Sequence, residues 1–507
     1  MKTTEMTRRN ALKLTCGAAL GATHALARAE DARGAGIVMG EPKAAETGNR
    51  VLKDGGNAID AIVAAALAGA LHAPNQYGIA GYGGHMIVRL ANGSIKCIDF
   101  NTTAPAAAKV ITYGWQASGV PGILAGLQAA LDHFGTRRFK DVVQPAIDIA
   151  ENGFPISQGL ANAIHSREKE LKNDPGSAKL YFPKDNILRN PDLARMLKRL
   201  ALQNSVRDFY EGQIARQMAD AFAKNDGLVT ARDFAQYKAL DLQPLSFQCN
   251  NFTVYTSPLP AGGLSILRMF GIINALPPEL VDEHALLEAM RVAWHERLTK
   301  FGDKVSTDTL QTLDILADRV KAAVKNGTRV DQATVSQAHR GTVHLNAADA
   351  KGNVVALTLT HGNAFGACVT VDGLGLTLGH GMSRFVSESG HPNSPAPGRR
   401  PLTNMCPTLV IRDGKPVLAL GAAGGRLIVD TVFHVLWNFV GGKDFQESIR
   451  APRWHTEGGT ELALEKAWPD SVRQRFEKLG YQIKPGGAAV ARAIAPDSNG
   501  IWQTAAR

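Results

Sequence analysis

The sequence has few cysteines, and their spacing is typical of neither a metal site nor a redox motif. Five cysteines occur in 507 residues, and no two of them form a C-x-x-C pair. Cys16 lies in a segment that we expect to be removed, which leaves Cys97, Cys249, Cys368 and Cys406. Four scattered cysteines in so long a chain are expected to be buried apolar residues rather than a disulfide framework. No metal ion or other cofactor is predicted.

Long apolar runs and blocks of charge are also missing. The apolar stretch Ala61–Leu71 has only 11 residues, so it is too short to span a bilayer and predicts a buried helix. Of the net charge of +10, residues 1–29 contribute +4 (five basic residues against Glu5), and about +6 remains. Because the basic residues form no run and aromatic residues do not interleave with them, a nucleic-acid partner is not expected.

The common catalytic signatures are absent too. There is no G-x-S-x-G elbow, no Walker loop and no calcium-binding loop. The glycine cluster Gly78–Gly84 lies between a predicted helix and a predicted strand, His85–Leu90. A dinucleotide fingerprint runs in the opposite order, from strand to glycines to helix, so close backbone packing is the better interpretation of these glycines.

Residues 1–29 have the features of a bacterial export signal. Arg8 and Arg9 precede a mildly apolar stretch, and small residues near Ala27 and Ala29 offer cleavage sites. The pattern resembles a twin-arginine signal and predicts a periplasmic protein. A basic N-terminal helix is the alternative.

Helical patterns fill the chain up to about residue 330, and strand patterns follow after 340. Residues 342–349 and 354–360 alternate around a Lys351-Gly352-Asn353 turn, which predicts a hairpin. Further strands are predicted at Thr408–Arg412 and Val417–Leu420.

The bond between Gly341 and Thr342 opens the first strand of this hairpin and is a candidate self-processing site. The Thr342 hydroxyl would attack the Gly341 carbonyl, and hydrolysis of the resulting ester would make Thr342 a new N-terminus. Its free amine has a pKa of ~7.7–8.0 in model compounds, so one residue supplies both nucleophile and base. A turn glycine before a strand threonine is the alternative.

Several ordered motifs resemble those of the γ-glutamyltransferase family, from about residue 36 to 507. These motifs are Gly55–Ala61, Gly78–Gly84, Gly119–Gly122, Val143–Asp148, Thr253–Gly263, Thr342–His344, Asp349–Asn353, Arg400–Met405 with Pro407-Thr408, and Gly421–Arg426.

The resemblance implies an α+β protein of the N-terminal nucleophile hydrolase superfamily, a four-layer αββα sandwich self-cleaved into two chains. The large chain would be 30–341 and the small chain 342–507. The resemblance makes Thr342 the nucleophile and Thr360 the hydroxyl that orients it. It also makes the backbone N–H groups of Gly424 and Gly425 the oxyanion donors.

The positions that would hold a glutamyl head group depart from the family pattern. Asn101 stands in place of the carboxylate-binding arginine, and Gly362 in place of an asparagine. Gly381-Met-Ser-Arg384 replaces the amine-binding Gln-x-x-Asp, and Thr403-Asn404 replace two serines. Arg384 would repel a substrate ammonium but could pair with a carboxylate.

Three functions therefore remain open from the sequence. The first is a hydrolase or transferase that cleaves γ-glutamyl amides through an acyl-enzyme. The second is an acylase that acts on another small-molecule acyl amide, and the third is an unprocessed, non-catalytic protein. The expected partners are the amide substrate and the two chains of one precursor, with no membrane span.

Overall fold

A computed structural model describes residues 36–111, 113–332 and 342–507, all of which belong to one unit of the chain. Its strands are β1 (Gly36–Met39), β2 (Gly83–Arg89), β3 (Ile95–Asp99), β4 (Phe154–Pro155), β5 (Ile187–Leu188), β6 (Leu240–Leu242), β7 (Leu245–Cys249), β8 (Phe252–Thr256), β9 (Val343–Asp349), β10 (Val354–Thr360), β11 (Thr370–Val371), β12 (Leu376–Thr377), β13 (Thr408–Arg412), β14 (Lys415–Ala423), β15 (Trp454–His455), β16 (Glu461–Leu464), β17 (Gln482–Pro485), β18 (Val490–Pro496) and β19 (Trp502–Ala506).

The α-helices are α1 (Pro42–Lys53), α2 (Ala58–His72), α3 (Ile123–Phe134), α4 (Phe139–Asn152), α5 (Gln158–Ser166), α6 (Glu168–Asn173), α7 (Pro175–Tyr181), α8 (Pro191–Gln203), α9 (Arg207–Glu211), α10 (Gln213–Lys224), α11 (Ala231–Gln236), α12 (Gly263–Asn274), α13 (Glu283–Lys300), α14 (Leu313–Asn326), α15 (Leu427–Val440), α16 (Phe445–Arg450) and α17 (Asp470–Lys478). Short 3-10 helices cover Trp115–Ala117, Pro278–Leu280, Thr307–Thr309 and Gly381–Arg384.

Two six-stranded antiparallel sheets form the centre of the molecule. The first sheet has the order β1-β9-β10-β2-β3-β6, and the second has the order β19-β18-β14-β13-β8-β7. Every residue of β2, β9 and β10 is buried, because helices cover one face of the first sheet and the second sheet covers the other. Strands buried on both faces can be apolar throughout, which explains the nearly continuous apolar run of β10.

Three hydrophobic clusters separate four layers. One cluster joins α1–α4, α8 and α10 to the first sheet, and another joins α12–α15 to the second sheet. The third lies between the two sheets and contains Leu409 and Ala419 opposite Ile87 and Ala356. This order of helices, sheet, sheet and helices confirms the predicted αββα sandwich.

The predicted apolar helix is α2, and its start is fixed to the hairpin that carries the candidate nucleophile. Asn57 caps α2 by accepting from the backbone N–H of Asp60 at 2.9 Å, and Asp60 accepts from Asn57 N–H at 2.9 Å. Asp349, in the β9–β10 turn, accepts from the Ala58 N–H at 3.0 Å and from the Asn353 N–H at 3.0 Å. One carboxylate therefore joins the turn of the hairpin to the helix layer.

The other elements predicted from the sequence are confirmed. The hairpin is β9 and β10, and β13 and β14 contain the strands predicted at Thr408–Arg412 and Val417–Leu420. The four cysteines outside the N-terminal segment are buried and have free thiols. Among the described residues, no helix combines the length and the apolar character needed to cross a bilayer.

Candidate active site

The register of the β9–β10 hairpin places Thr342 opposite Thr360. Val343 pairs with Leu359 in the antiparallel ladder, so the next pair outward is Thr342 and Thr360. Their side chains lie on one face, and the two hydroxyl oxygens are 3.1 Å apart. Both residues are buried, at 8% and 2% exposure. The proposed nucleophile and the hydroxyl proposed to orient it are therefore in hydrogen-bond contact.

The same face of the hairpin continues as a buried polar row. His344 Nδ1 lies 2.9 Å from the Thr358 hydroxyl, and its Nε2 lies 3.0 Å from Asn346 Oδ1. Burial lowers the pKa of His344 to about 3, so its imidazole is neutral at physiological pH. Glycine is required at 421 on β14, because a Cβ there would lie 2.2 Å from His344 Cε1. The polar row thus lies between the two sheets.

Gly424 and Gly425 form the turn between β14 and α15. Their φ angles are +152° and +67°, a backbone region that favours glycine. The turn leads directly into the first residues of a 14-residue helix. The N–H groups at a helix start have no partner within the helix and carry partial positive charge, which suits them to bind an oxyanion.

A chain of hydrogen bonds connects the threonine pair to Arg384. The Gly362 N–H donates to the Thr360 hydroxyl at 2.7 Å, and the Arg384 guanidinium donates to the Gly362 carbonyl. Gly362 has φ +88°, and a Cβ there would lie 2.5 Å from His380 Nδ1, so a larger residue would need this imidazole to move. Arg384 Nε is buried and has no hydrogen-bond partner among the described residues.

Arg384 also lines a cavity of about 340 Å³ whose walls carry three arginines. The other two are Arg297 of α13 and Arg426, which directly follows the Gly424–Gly425 turn. Burial lowers the pKa of Arg384 and of Arg297 to about 10, and the nearby charge of Arg426 acts in the same direction. At neutral pH all three guanidinium groups remain charged. The cavity is therefore suited to bind an anion.

Carboxylates are scarce on the described walls of this cavity. Glu388 is the one acidic residue that lines it, and it is exposed to solvent. Glu457 lies behind the wall and is already ion-paired with Arg426. A bound ammonium group would consequently face arginines and have little negative charge to pair with.

The remaining residues predicted to bind substrate take different positions. Asn404 lines the cavity, and its Oδ1 accepts from Arg297 at 3.1 Å. Thr403 is buried, and its carbonyl accepts from Arg297 at 2.7 Å. Asn101 is fully buried and donates to the Pro401 carbonyl at 2.8 Å. Its side-chain oxygen accepts from the Thr102 N–H at 3.1 Å, so both ends of this amide are bonded within the protein.

Sequence reasoning did not single out Arg297 and Arg426 as site residues. Arg297 lies three residues after Trp294 on a helix face that is otherwise buried and apolar. A charged residue inside such a pattern is a usable signal, because buried charges need partners. Arg426 ends a motif already recognised, but only the fold brings it to the same cavity as Arg384. Gly341, the other half of the predicted cleavage site, lies outside the described residues.

Comparison with known proteins agrees with this architecture. Residues 44–506 match the family model described as Gamma-glutamyltranspeptidase. The chain is 31% identical to the Glutathione hydrolase proenzyme of Escherichia coli (strain K12), over 90% of this chain and 87% of that protein. It is 32% identical to the Acylase ACY 1 proenzyme of Pseudomonas sp. (strain V22), over 93% of this chain and 91% of that protein.

A solved structure shares the same fold. The cephalosporin acylase from Bacillus halodurans superposes with a TM-score of 0.81 at 24% identity, covering 93% of this chain and 96% of that one. The fold is that of the N-terminal nucleophile hydrolases. The chain belongs to the gamma-glutamyltranspeptidase family, whose hydrolases and acyltransferases act on amides.

Proposed function

We propose that the chain cleaves itself between Gly341 and Thr342 and then uses Thr342 as an N-terminal nucleophile. The observation that carries this proposal is the 3.1 Å contact between the Thr342 and Thr360 hydroxyls at the first position of β9. The Gly362 N–H donates to Thr360, which leaves the Thr360 proton available to the Thr342 oxygen. Two relatives named as proenzymes support a precursor that matures.

After cleavage, the Thr342 amine would take the proton from its own hydroxyl, and the oxygen would attack the substrate carbonyl. The N–H groups of Gly424 and Gly425 would bind the negative oxygen of the tetrahedral intermediate, where one such donor is worth ~2.7–4 kcal/mol. Return of the proton to the leaving amine breaks the amide bond and leaves an ester on Thr342. Water, or an acceptor amine, then releases the acyl group by the same steps in reverse order.

The charge of the cavity favours a substrate whose acyl part carries a carboxylate and lacks an α-ammonium. Arg297, Arg384 and Arg426 offer cationic donors, and the walls offer one exposed carboxylate in return. The 4-carboxybutanoyl group has this chemistry, since it is the γ-glutamyl group without its ammonium. The γ-glutamyl group itself is the second candidate, because one relative is named a glutathione hydrolase.

Self-cleavage is tested on the purified protein by a denaturing gel and a mass spectrum. We expect two chains, the smaller beginning at Thr342, and one uncut chain for Thr342→Ala. A wild-type protein that remains one chain and still turns over amides would refute the proposed mechanism.

The substrate proposal is tested with three p-nitroanilides that differ only in charge. These are the γ-glutamyl, 4-carboxybutanoyl and butanoyl compounds. We expect kcat/KM to be highest for the 4-carboxybutanoyl amide and to fall about 10- to 100-fold in Arg384→Ala, the cost of a lost charged hydrogen bond. Arg412→Ala, on the surface end of β13, is the matched control. Efficient γ-glutamyl turnover that depends on Arg384 would favour the second candidate.

We also propose that residues 1–29 direct export to the periplasm through a twin-arginine pathway. These residues lie outside the described part of the chain, and the support is their sequence pattern. Replacing Arg8 and Arg9 by lysine should retain the protein in the cytoplasmic fraction. An unchanged periplasmic yield would contradict this proposal.

A further inference from the structure

Behind the arginine cavity lies a cluster of charged side chains that the reaction scheme does not use. His455 of β15 lies between two carboxylates: its Nδ1 is 2.6 Å from Asp430 of α15, and its Nε2 is 3.4 Å from Glu457. Asp430 and His455 are 1% and 12% exposed. We define Asp430, His455 and Glu457 as the acidic-histidine cluster.

The hydrogen-bonding geometry requires this histidine to carry a positive charge. A carboxylate only accepts, so each ring nitrogen that faces one must donate. Neutral imidazole has one N–H, whereas both nitrogens of His455 face carboxylate oxygens. The imidazolium form alone satisfies both contacts. Consistently, Asp430 and Glu457 overcome the effect of burial and raise the pKa of His455 to about 9.

The cluster contacts two walls of the cavity. Asp430 accepts from the Trp294 indole N–H at 2.6 Å, and Glu457 is ion-paired with Arg426. Trp294 and Arg426 both line the cavity, and the Trp294 ring stands edge-on to His455 with centroids 6.0 Å apart. The charge of the cluster therefore lies directly behind the surface that would receive an anion.

Charge counting shows what the histidine contributes. With His455 protonated, two carboxylates, one imidazolium and Arg426 sum to zero, and Arg297 and Arg384 are left as uncompensated cations. With His455 neutral, the same four groups sum to −1. That extra negative charge would lie next to the cavity and oppose the binding of a carboxylate.

We propose that His455 is a positioning residue that cancels the charge of Asp430 and Glu457 and so keeps the arginine cavity able to bind an acidic acyl group. This inference rests on the proposed function, because it assumes that the cavity binds a carboxylate. His455 touches no reacting atom; it acts through Trp294 and Arg426.

The groups that face His455 from the surrounding elements are few. Those on α15 and its N-terminus, on the segment after β15 and on α13 are Asp430, His434, Arg426, Glu457 and Trp294. Burial lowers the pKa of His434 to about 3, so this second histidine stays neutral. Deprotonation of His455 should therefore dominate changes of cluster charge as the pH rises toward 9.

The test is calorimetric binding of glutarate, the free acid of the 4-carboxybutanoyl group, to the purified full-length protein. His455→Asn keeps a donor for Asp430 but removes the charge, and we expect it to weaken glutarate binding about tenfold at pH 7.5. Glu457→Gln removes one negative charge, so the double variant should recover an affinity near that of the unmodified protein. His133→Asn is the matched control, because His133 pairs with Asp241 at 3.4 Å on the surface.

The pH profile provides a test that needs no variant. In the unmodified protein, glutarate affinity should fall between pH 8 and pH 9.5, and His455→Asn should lose that part of the dependence. Equal binding by the unmodified protein and His455→Asn, or failure of Glu457→Gln to rescue, would overturn the role of His455 alone. If the unmodified protein binds no glutarate, both this inference and the acidic-substrate proposal are wrong, whereas self-cleavage at Thr342 is unaffected.

Discussion

Replacing Thr360 by valine tests whether this hydroxyl orients the nucleophile. Valine has nearly the same shape, so the change removes one oxygen from a residue that is 2% exposed. Two contacts are lost: the 3.1 Å contact to the Thr342 hydroxyl and the 2.7 Å bond from the Gly362 N–H.

The two losses have different expected costs. A buried Gly362 N–H left without a partner should lower the free energy of unfolding by about 1–3 kcal/mol. Loss of the hydrogen bond to Thr342 frees the rotation of the nucleophile, and a bond of about 1–1.5 kcal/mol corresponds to a rate decrease of roughly 5- to 15-fold in self-cleavage and in amide turnover. Thr360→Ser keeps the oxygen and should keep most of both.

A matched control lies two residues away on the same face of β10. Thr358 is fully buried and bonds His344 at 2.9 Å, but it is not in contact with Thr342. Thr358→Val should therefore cost comparable stability while cleavage and kcat stay within a few-fold of the unmodified protein. Urea unfolding gives the stability, a time course on denaturing gels gives the cleavage rate, and p-nitroanilide release gives kcat.

The reasoning fails if Thr360→Val cleaves and turns over substrate at the unmodified rate. It also fails if Thr358→Val slows both reactions as much as Thr360→Val does, since the effect would then reflect packing of the strand and not the hydroxyl beside Thr342.

Three further predictions concern the oxyanion turn, a buried ion pair and the pH dependence of stability. A Cβ at Gly424 would lie 2.8 Å from a neighbouring backbone, so Gly424→Ala should lower kcat about 100-fold, whereas Gly414→Ala, at φ +73° in open space, should leave kcat unchanged. Arg268 and Glu296 form a buried bidentate pair at 2.7 and 2.8 Å, so Arg268→Met should lower the free energy of unfolding by about 3–5 kcal/mol in urea melts; a loss below 1 kcal/mol would contradict burial of an unpaired charge. His455 holds its proton more tightly in the folded state, with a pKa of about 9, than in an unfolded chain, at ~6.5, so its stabilisation is complete below pH ~6.5 and is lost as the pH rises to 9. Urea melts from pH 6 to 9.5 should show a decline of up to about 3 kcal/mol that is absent in His455→Asn, and an equal decline in both proteins would refute this assignment.

Local patterns predicted much of the framework because they depend on residues close in sequence. Alternation on both sides of Lys351-Gly352-Asn353 predicted the hairpin, and antiparallel register then placed Thr342 opposite Thr360. Asn57 followed by an apolar stretch predicted a capped, buried helix, which α2 confirms. Ordered motifs along the chain predicted the family and its four layers.

The substrate cavity could not be predicted in the same way. Arg297, Arg384 and Arg426 come from a helix, a 3-10 turn and the start of another helix, separated by 87 and 42 positions in the numbering of the chain. Asn101 and Arg384 both replace family residues, yet the first is bonded within the protein and the second faces the cavity. Sequence position alone does not distinguish these outcomes.

The sequence by itself determined the secondary structure around Thr342, the threonine pair and the family, because strand alternation, capping and register are set by neighbouring residues. The tertiary structure alone decided that three arginines share one cavity and that His455 lies between two carboxylates behind it. Charge–charge interactions depend on distance in space and on burial, and both are products of long-range packing.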